Sequence, residues 1–284
     1  MDPTKLAAGI GATAVLIAGG GYGISALLAD GMPDYIVLSK GEPTPTDSTI
    51  GKLYGNYLVA PYGSRGKTNI SDETKSNSKK WWEWSYRRWE KDFKKGSQLS
   101  DAFKDDKKIN SGFSDVTPEA NKAKALNQVC EDVYKKTEND ITPDTDNNKK
   151  RLRDDMWKYC SFFGRKPTTI KENANESYST DGSYGKTKES ELVSIDDPLN
   201  KLFWEIRNEE FFGTTSSEGI GAGLKVAEDS IFQPLYEDRF SANRGTIKNV
   251  CKEAYFLTSN ETGTKKAKQD SVLKFCSLKG KENS

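Results

Sequence analysis

Apolar residues recur at helical spacing in two separate tracts of the chain. In the first, Trp82, Tyr86, Trp89 and Phe93 fall at i, i+4, i+7 and i+11, which predicts an amphipathic helix capped by Ser76 or Ser78 and running to about residue 95. Thr117-Pro118-Glu119 offers an N-cap followed by proline at the first helical position, after which Leu126, Val129, Cys130 and Val133 share one face. Asn147 or Asn148 starts a third helix, in which Leu152, Met156, Tyr159, Cys160 and Phe163 form another stripe. The second tract predicts a helix over 198–212 containing Phe203, Trp204 and Phe211. It then predicts a short helix through Ile231, Phe232, Leu235 and Tyr236, and two helices carrying Ile247, Val250, Cys251, Ala254 and then Val272, Phe275, Cys276.

The two tracts read alike. Val-Cys130-Glu-Asp-Val-Tyr is echoed by Val-Cys251-Lys-Glu-Ala-Tyr, and Lys-Tyr-Cys160-Ser by Lys-Phe-Cys276-Ser. Trp82-Glu83 precedes Cys130 by 48 positions, and Trp204-Glu205 precedes Cys251 by 47. A fixed period of this kind marks a duplicated unit. The expected fold is therefore mainly α, with two small three-helix bundles at 78–165 and 197–284, each with one cysteine pair linking its second and third helices.

Outside these tracts the pattern changes. Residues 6–28 carry no charge over 23 positions, long enough as a helix of about 35 Å to cross a bilayer core, so 1–30 is read as a transmembrane anchor, with a cleaved signal segment as the alternative. The cell membrane is the expected location, with a single pass and the soluble part outside. Residues 31–77, rich in Gly, Pro, Ser and Thr, read as a spacer, and polar, turn-rich 166–196 as a linker. Within the spacer, the apolar run 53–59 is expected to pack on the first bundle, as a strand. Gly219-Ile220-Gly221-Ala222-Gly223 reads as a flexible turn, because it lacks the Lys-Ser/Thr of a phosphate loop. Gly9-Ile10-Gly11-Ala12-Thr13-Ala14 imitates a dinucleotide fingerprint, but no strand can precede it, and no cofactor is expected.

Composition narrows the chemistry. Lys and Arg number 43 against 42 Asp and Glu, so net charge gives no bulk drive toward nucleic acid, which is not an expected partner. Histidine is absent, which removes every His-based nucleophile pair and the commonest metal ligand. Four cysteines in two equivalent pairs favour Cys130–Cys160 and Cys251–Cys276 disulfides if the soluble part lies outside the cell; buried thiols are the alternative, and a zinc site lacks close ligand pairs.

The opening Lys5-Leu6-Ala7-Ala8-Gly9, the Trp-rich helices, the endings Lys-Tyr-Cys160 and Lys-Phe-Cys276, and Lys166-Pro167-Thr168-Thr169-Ile170 also carry a likeness. Across nearly its whole length the chain resembles the large paralogous families of uncharacterised proteins in haemotropic mycoplasmas. The resemblance implies a membrane-anchored, surface-exposed and antigenically varied protein, with no activity attached. The Trp81-Trp82-Glu83-Trp84 cluster and the longer middle of the second tract depart from that pattern.

Three functions follow as expectations. The first is a non-enzymatic surface protein that meets host molecules or antibody. The second is polyanion binding by Lys80, Trp84, Arg87, Arg88 and Lys91, where bases and an aromatic share a helix face. The third, a hydrolase using Asp154 and Asp155 or Glu209 and Glu210, is disfavoured, because adjacent acids on a helix diverge by about 100°.

Overall fold

The computed structural model describes residues 32–63, 78–105, 108–120, 122–142, 145–214, 217–225 and 227–280. The anchor expected at 6–28 lies outside the described residues. Among those described, no helix is long and apolar enough to cross a membrane. The fold is mainly helical.

The chain enters with Met32, Tyr35, Ile36, Val37 and Leu38, all buried. Helix α1 (Ile50–Tyr54) starts where Thr49 Oγ1 accepts from Lys52 N. Leu58 and Val59 then form isolated antiparallel bridges with Ser161 and Val37. Much of the described part of the expected spacer therefore packs into the core, while Asp34, Lys40 and Lys52 stay exposed. Its glycines and prolines make packed turns: at Gly41 an added Cβ would sit 2.2 Å from the Ala60 side chain. The run expected as a strand packs as foreseen, but as the end of a helix followed by single bridges.

Helix α2 (Lys79–Lys94) buries Trp81, Trp82, Ser85 and Trp89. Its N-cap Ser78 makes no cap bond; the hydroxyl instead accepts from Ile36 N at 3.0 Å, tying the incoming segment to the helix start. Two short strands follow, β1 (Ile109–Ser111) and β2 (Lys124–Ala125), which pair in parallel. Helix α3 (Leu126–Tyr134) begins after them. It does not start at Thr117-Pro118, because Thr117 and Glu119 are exposed and the apolar face that stabilises a short helix begins at Leu126. Gln128 Oε1 accepts from Ala125 N at 3.1 Å and fixes that start. Helix α4 (Asn147–Tyr159) is capped by Asp146, which accepts from Asn148 N and Lys149 N. Helices α2, α3 and α4 pack on one another.

The expected linker also folds. Ile170, Tyr178, Tyr184, Leu192, Val193 and Ile195 are buried, around the single turn α5 (Tyr184–Thr187). Buried Glu176 holds this segment by accepting from Tyr178 Oη, Ser194 Oγ, Ile195 N and Asp196 N. Helix α6 (Lys201–Phe212) ends at Gly213, whose φ of 72° suits glycine. The hairpin of β3 (Gly213–Thr214) and β4 (Ser217–Glu218) folds the glycine-rich stretch back on α6. There Ile220 N and Gly221 N donate to Glu210 O and Phe211 O, and a Cβ on Gly219 would meet Phe211 O at 2.2 Å. The start of the stretch expected as a flexible turn is close-packed at Gly219 and Gly221, whereas Gly223 lies open. Helix α7 (Phe232–Glu237) follows, then α8 (Ile247–Ala254), capped by Thr246, and α9 (Gln269–Cys276); α6, α7 and α9 all pack on α8.

One set of contacts occurs twice. Tyr134 Oη donates to Val59 O and Cys160 O, both at 2.9 Å, and Tyr255 Oη donates to Val193 O at 2.8 Å and Cys276 O at 3.2 Å. Val59 N donates to Cys160 O as Val193 N does to Cys276 O. The indoles of Trp82 and Trp204 donate to Ala60 O and Ser194 O. In each case a buried aromatic stitches a short extended segment to the end of a helix, which satisfies polar groups that burial would otherwise leave bare.

Candidate functional site

Three places carry chemistry. The first is the cysteine pairs. Cys130 lies on α3 and Cys160 at the C-cap of α4, with sulfurs 1.95 Å apart and Cα atoms 5.7 Å apart; Cys251 on α8 and Cys276 on α9 lie 2.01 Å apart at the sulfurs. All four are fully buried, and none is free. Burial pushes the Tyr134 and Tyr255 hydroxyls beside them well above the usual phenol range.

The second is the basic face of α2. Lys80, Arg87 and Lys91 are exposed, and none has an ion-pair partner among the described residues. From Lys80 to Lys91 the helix rises about 16 Å. Trp84 and Arg88 do not stand free among them. Arg88 Cζ lies 4.5 Å above the Trp84 ring, and Trp84 packs 5.9 Å from Trp81, so both are half-buried. Burial lowers the Arg88 guanidinium, and its Nη1 is buried with no hydrogen-bond partner. The neighbouring cations are spent: Lys94 pairs with Glu90 at 2.9 Å, and Lys158 with Asp92 at 2.8 Å. Of the five residues expected to bind a polyanion, three present charge outward and two form a stacked support beneath.

The third place was not foreseen. Arg207 of α6 is buried, with 3% of its surface exposed. Its guanidinium donates to Lys274 O and Ser277 O at the C-terminus of α9 and to Tyr57 Oη, and Nε lies 2.9 Å from Glu210 Oε2. Burial depresses the guanidinium, but Tyr57 and Glu210 more than offset this and hold it above its usual value. Burial raises the Glu210 carboxyl, against the pull of Arg207. Tyr57 also packs on Trp157 and Phe163 in the first half and on Phe203 in the second, so this network joins the halves. Arg207 sits three residues after Trp204 on a helix whose apolar stripe is loose, and that irregularity is the sequence signal for it.

Of the carboxylates considered for hydrolysis, two are tied down. Asp155 is buried and accepts from Ser100 N at 2.7 Å, with its carboxyl raised by burial to about 6; Glu210 is held by Arg207. Asp154 lies 3.6 Å from Arg153 on the surface. Among the described residues no group of three or more His, Cys, Asp or Glu could hold a metal ion. No protein-family model matches the chain, and no curated protein or solved structure does either.

Proposed function

We propose that this chain is a non-catalytic, membrane-anchored surface protein whose two helical units, copies of one ancestral module, meet host molecules or antibody outside the cell. The observation that carries the reading is the placement of all four cysteines as two buried pairs at bonding distance, equivalently seated beneath Tyr134 and Tyr255. Cysteines used in this way belong to oxidising compartments. The matching hydrogen bonds of the two halves support the duplication, and the resemblance to haemotropic mycoplasma proteins fits the location. The tying down of Asp155 and Glu210 in structural bonds supports a role without catalysis. Protease shaving of intact cells, followed by non-reducing peptide mapping, tests the reading. Release of linked Cys130/Cys160 and Cys251/Cys276 peptides is expected; protected modules with four free thiols would overturn it.

A second reading rests on its own observation, the outward row of Lys80, Arg87 and Lys91 without acidic partners among the described residues. On this reading α2 binds a polyanionic glycan, with the stacked Trp84 and Arg88 stiffening the row. Reversing Arg87 and Lys91 to Glu should bring elution from heparin to markedly lower salt. Unchanged elution would remove the reading.

A further inference from the structure

The junction between the halves holds a cleft of about 550 Å³, floored by Tyr57, Arg207 and Glu210. Lys40 and Lys52 stand on its wall from the first half, and Lys274 and Lys279 from the second. Its lining therefore brings five cationic side chains against one carboxylate, and that carboxylate, Glu210, is already held by Arg207. The two lysines of the first half are only weakly compensated from outside. Lys40 has no acidic partner among the described residues. Lys52 reaches Asp47 at 3.5 Å, but both side chains are largely in solvent, where such a pair holds weakly. Lys279 pairs with Glu138 at 2.6 Å, and Lys274 Nζ donates to Ile220 O at 2.8 Å. A buried hydroxyl on the wall, Ser39 Oγ, has no hydrogen-bond partner.

We infer that this cleft is a binding site for a small tetrahedral oxyanion, the phosphate or sulfate group of a compact polar molecule, held between Lys40 and Lys52 of one half and Lys274 of the other. Low-dielectric walls concentrate the field of like charges lining a cleft, so the ligand must be anionic. Ammonium groups arriving from separate segments act as point charges around a polyvalent anion, whereas a lone carboxylate is matched best by an arginine fork. The fork available here, Arg207, already donates to Tyr57, Lys274 O and Ser277 O and is ion-paired with Glu210. The volume lies in the range of small-ligand pockets, roughly 300–1,000 Å³. The site is independent of the α2 face, and it exists only where the halves meet, so an occupant would clamp them together.

Titration of the full chain with inorganic pyrophosphate in about 150 mM NaCl, followed by calorimetry and by ³¹P line width, tests the inference, since that salt screens unspecific surface attraction. Saturable binding is expected. The double variant Lys40→Glu/Lys52→Glu, at two exposed positions, should weaken it at least tenfold, and Lys40→Gln should weaken it severalfold. Arg87→Glu/Lys91→Glu should leave it unchanged. Competition with sodium sulfate separates the two sources: displacement assigns a general tetrahedral-anion site, and its absence assigns phosphate. Absence of saturable binding, equal affinity in Lys40→Glu/Lys52→Glu, or loss in the α2 variant instead would overturn the inference.

Discussion

Replacing Arg207 by Met gives the sharpest test of how the halves are joined. Methionine fills much of the same volume, so the change removes charge and donors while leaving little cavity. Glu210 would then be left as a carboxylate whose side chain is only 13% exposed, with no cation at 2.9 Å to oppose its desolvation. Lys274 O, Ser277 O and Tyr57 Oη would lose their donor as well. Removing one partner of a buried ion pair costs about 3–5 kcal/mol. In a folded region of this size that lowers the melting temperature by roughly 10 °C. Urea unfolding at neutral pH measures it, and because the network spans the junction the transition should also split into two. The double variant Arg207→Met/Glu210→Gln removes the stranded charge and should recover about 2 kcal/mol of the loss, a coupling typical of groups in direct contact. Tyr57→Phe, which deletes only one hydroxyl, should cost about 1 kcal/mol. A single-variant loss below about 1 kcal/mol, or a double variant no better than the single, would refute the argument that the pair is a buried, mutually dependent junction.

The other predictions concern separate parts of the molecule. Replacing Cys251 and Cys276 together by Ala should lower stability by about 3–4 kcal/mol under oxidising conditions, the loop-entropy value for a separation of 25 residues, and by far less in reductant; an equal loss in both conditions would show that the pair is not bonded. Asp155, raised to about 6, binds its proton more tightly in the folded chain than in the unfolded one, so its contribution to stability rises as pH falls from about 7 toward 4. Relative to Asp155→Asn, the wild type should therefore gain about 2 kcal/mol between pH 7.5 and pH 4.5 in paired urea titrations, and a constant difference would contradict the assignment. Gly219→Ala should destabilise by more than about 2 kcal/mol in the same assay, because its Cβ would meet Phe211 O at 2.2 Å, whereas Gly223→Ala meets nothing within 4 Å and carries only the strain of its φ of 77°.

The long stripes were legible because helical periodicity needs only local sequence. Trp82 and Trp89, Leu152 and Met156, and Phe275 with Cys276 all lie in the core, as their spacing implied. The segments around 32–63 and 165–196 were not legible as folded structure. Their apolar residues are separated by Gly, Pro, Ser and Thr, and they pair through isolated bridges too short to show alternation. Trp157 lies off the α4 stripe yet is buried, because Tyr54 and Tyr57, about a hundred positions earlier, cover it. Arg207 escaped the sequence for the same reason: its partners are Tyr57, 150 residues away, and the end of α9. On the basic face, Lys80, Arg87 and Lys91 are exposed as their spacing implied, but Trp84 is not, since it lies between Trp81 and Arg88, contacts that the spacing does not reveal.

What distinguishes the halves is informative where their contacts otherwise match. Three residues after the indole that bonds to a carbonyl, the first half carries Ser85, whose hydroxyl donates to Tyr159 O at 2.7 Å. At that place the second half carries Arg207, which donates to Lys274 O and Ser277 O but is long enough to reach Tyr57 as well. A hydroxyl there can close only its own unit. A guanidinium closes its unit and binds the neighbour, at the cost of burying a charge that then requires Glu210. The Tyr134 and Tyr255 bonds help to close each half, and Arg207 adds a buried link between them beside the Tyr57–Phe203 contact and the Lys279–Glu138 pair. The cationic cleft lies beside Arg207 and draws Lys40 and Lys52 from one half and Lys274 and Lys279 from the other, so its full lining forms only where the two halves meet.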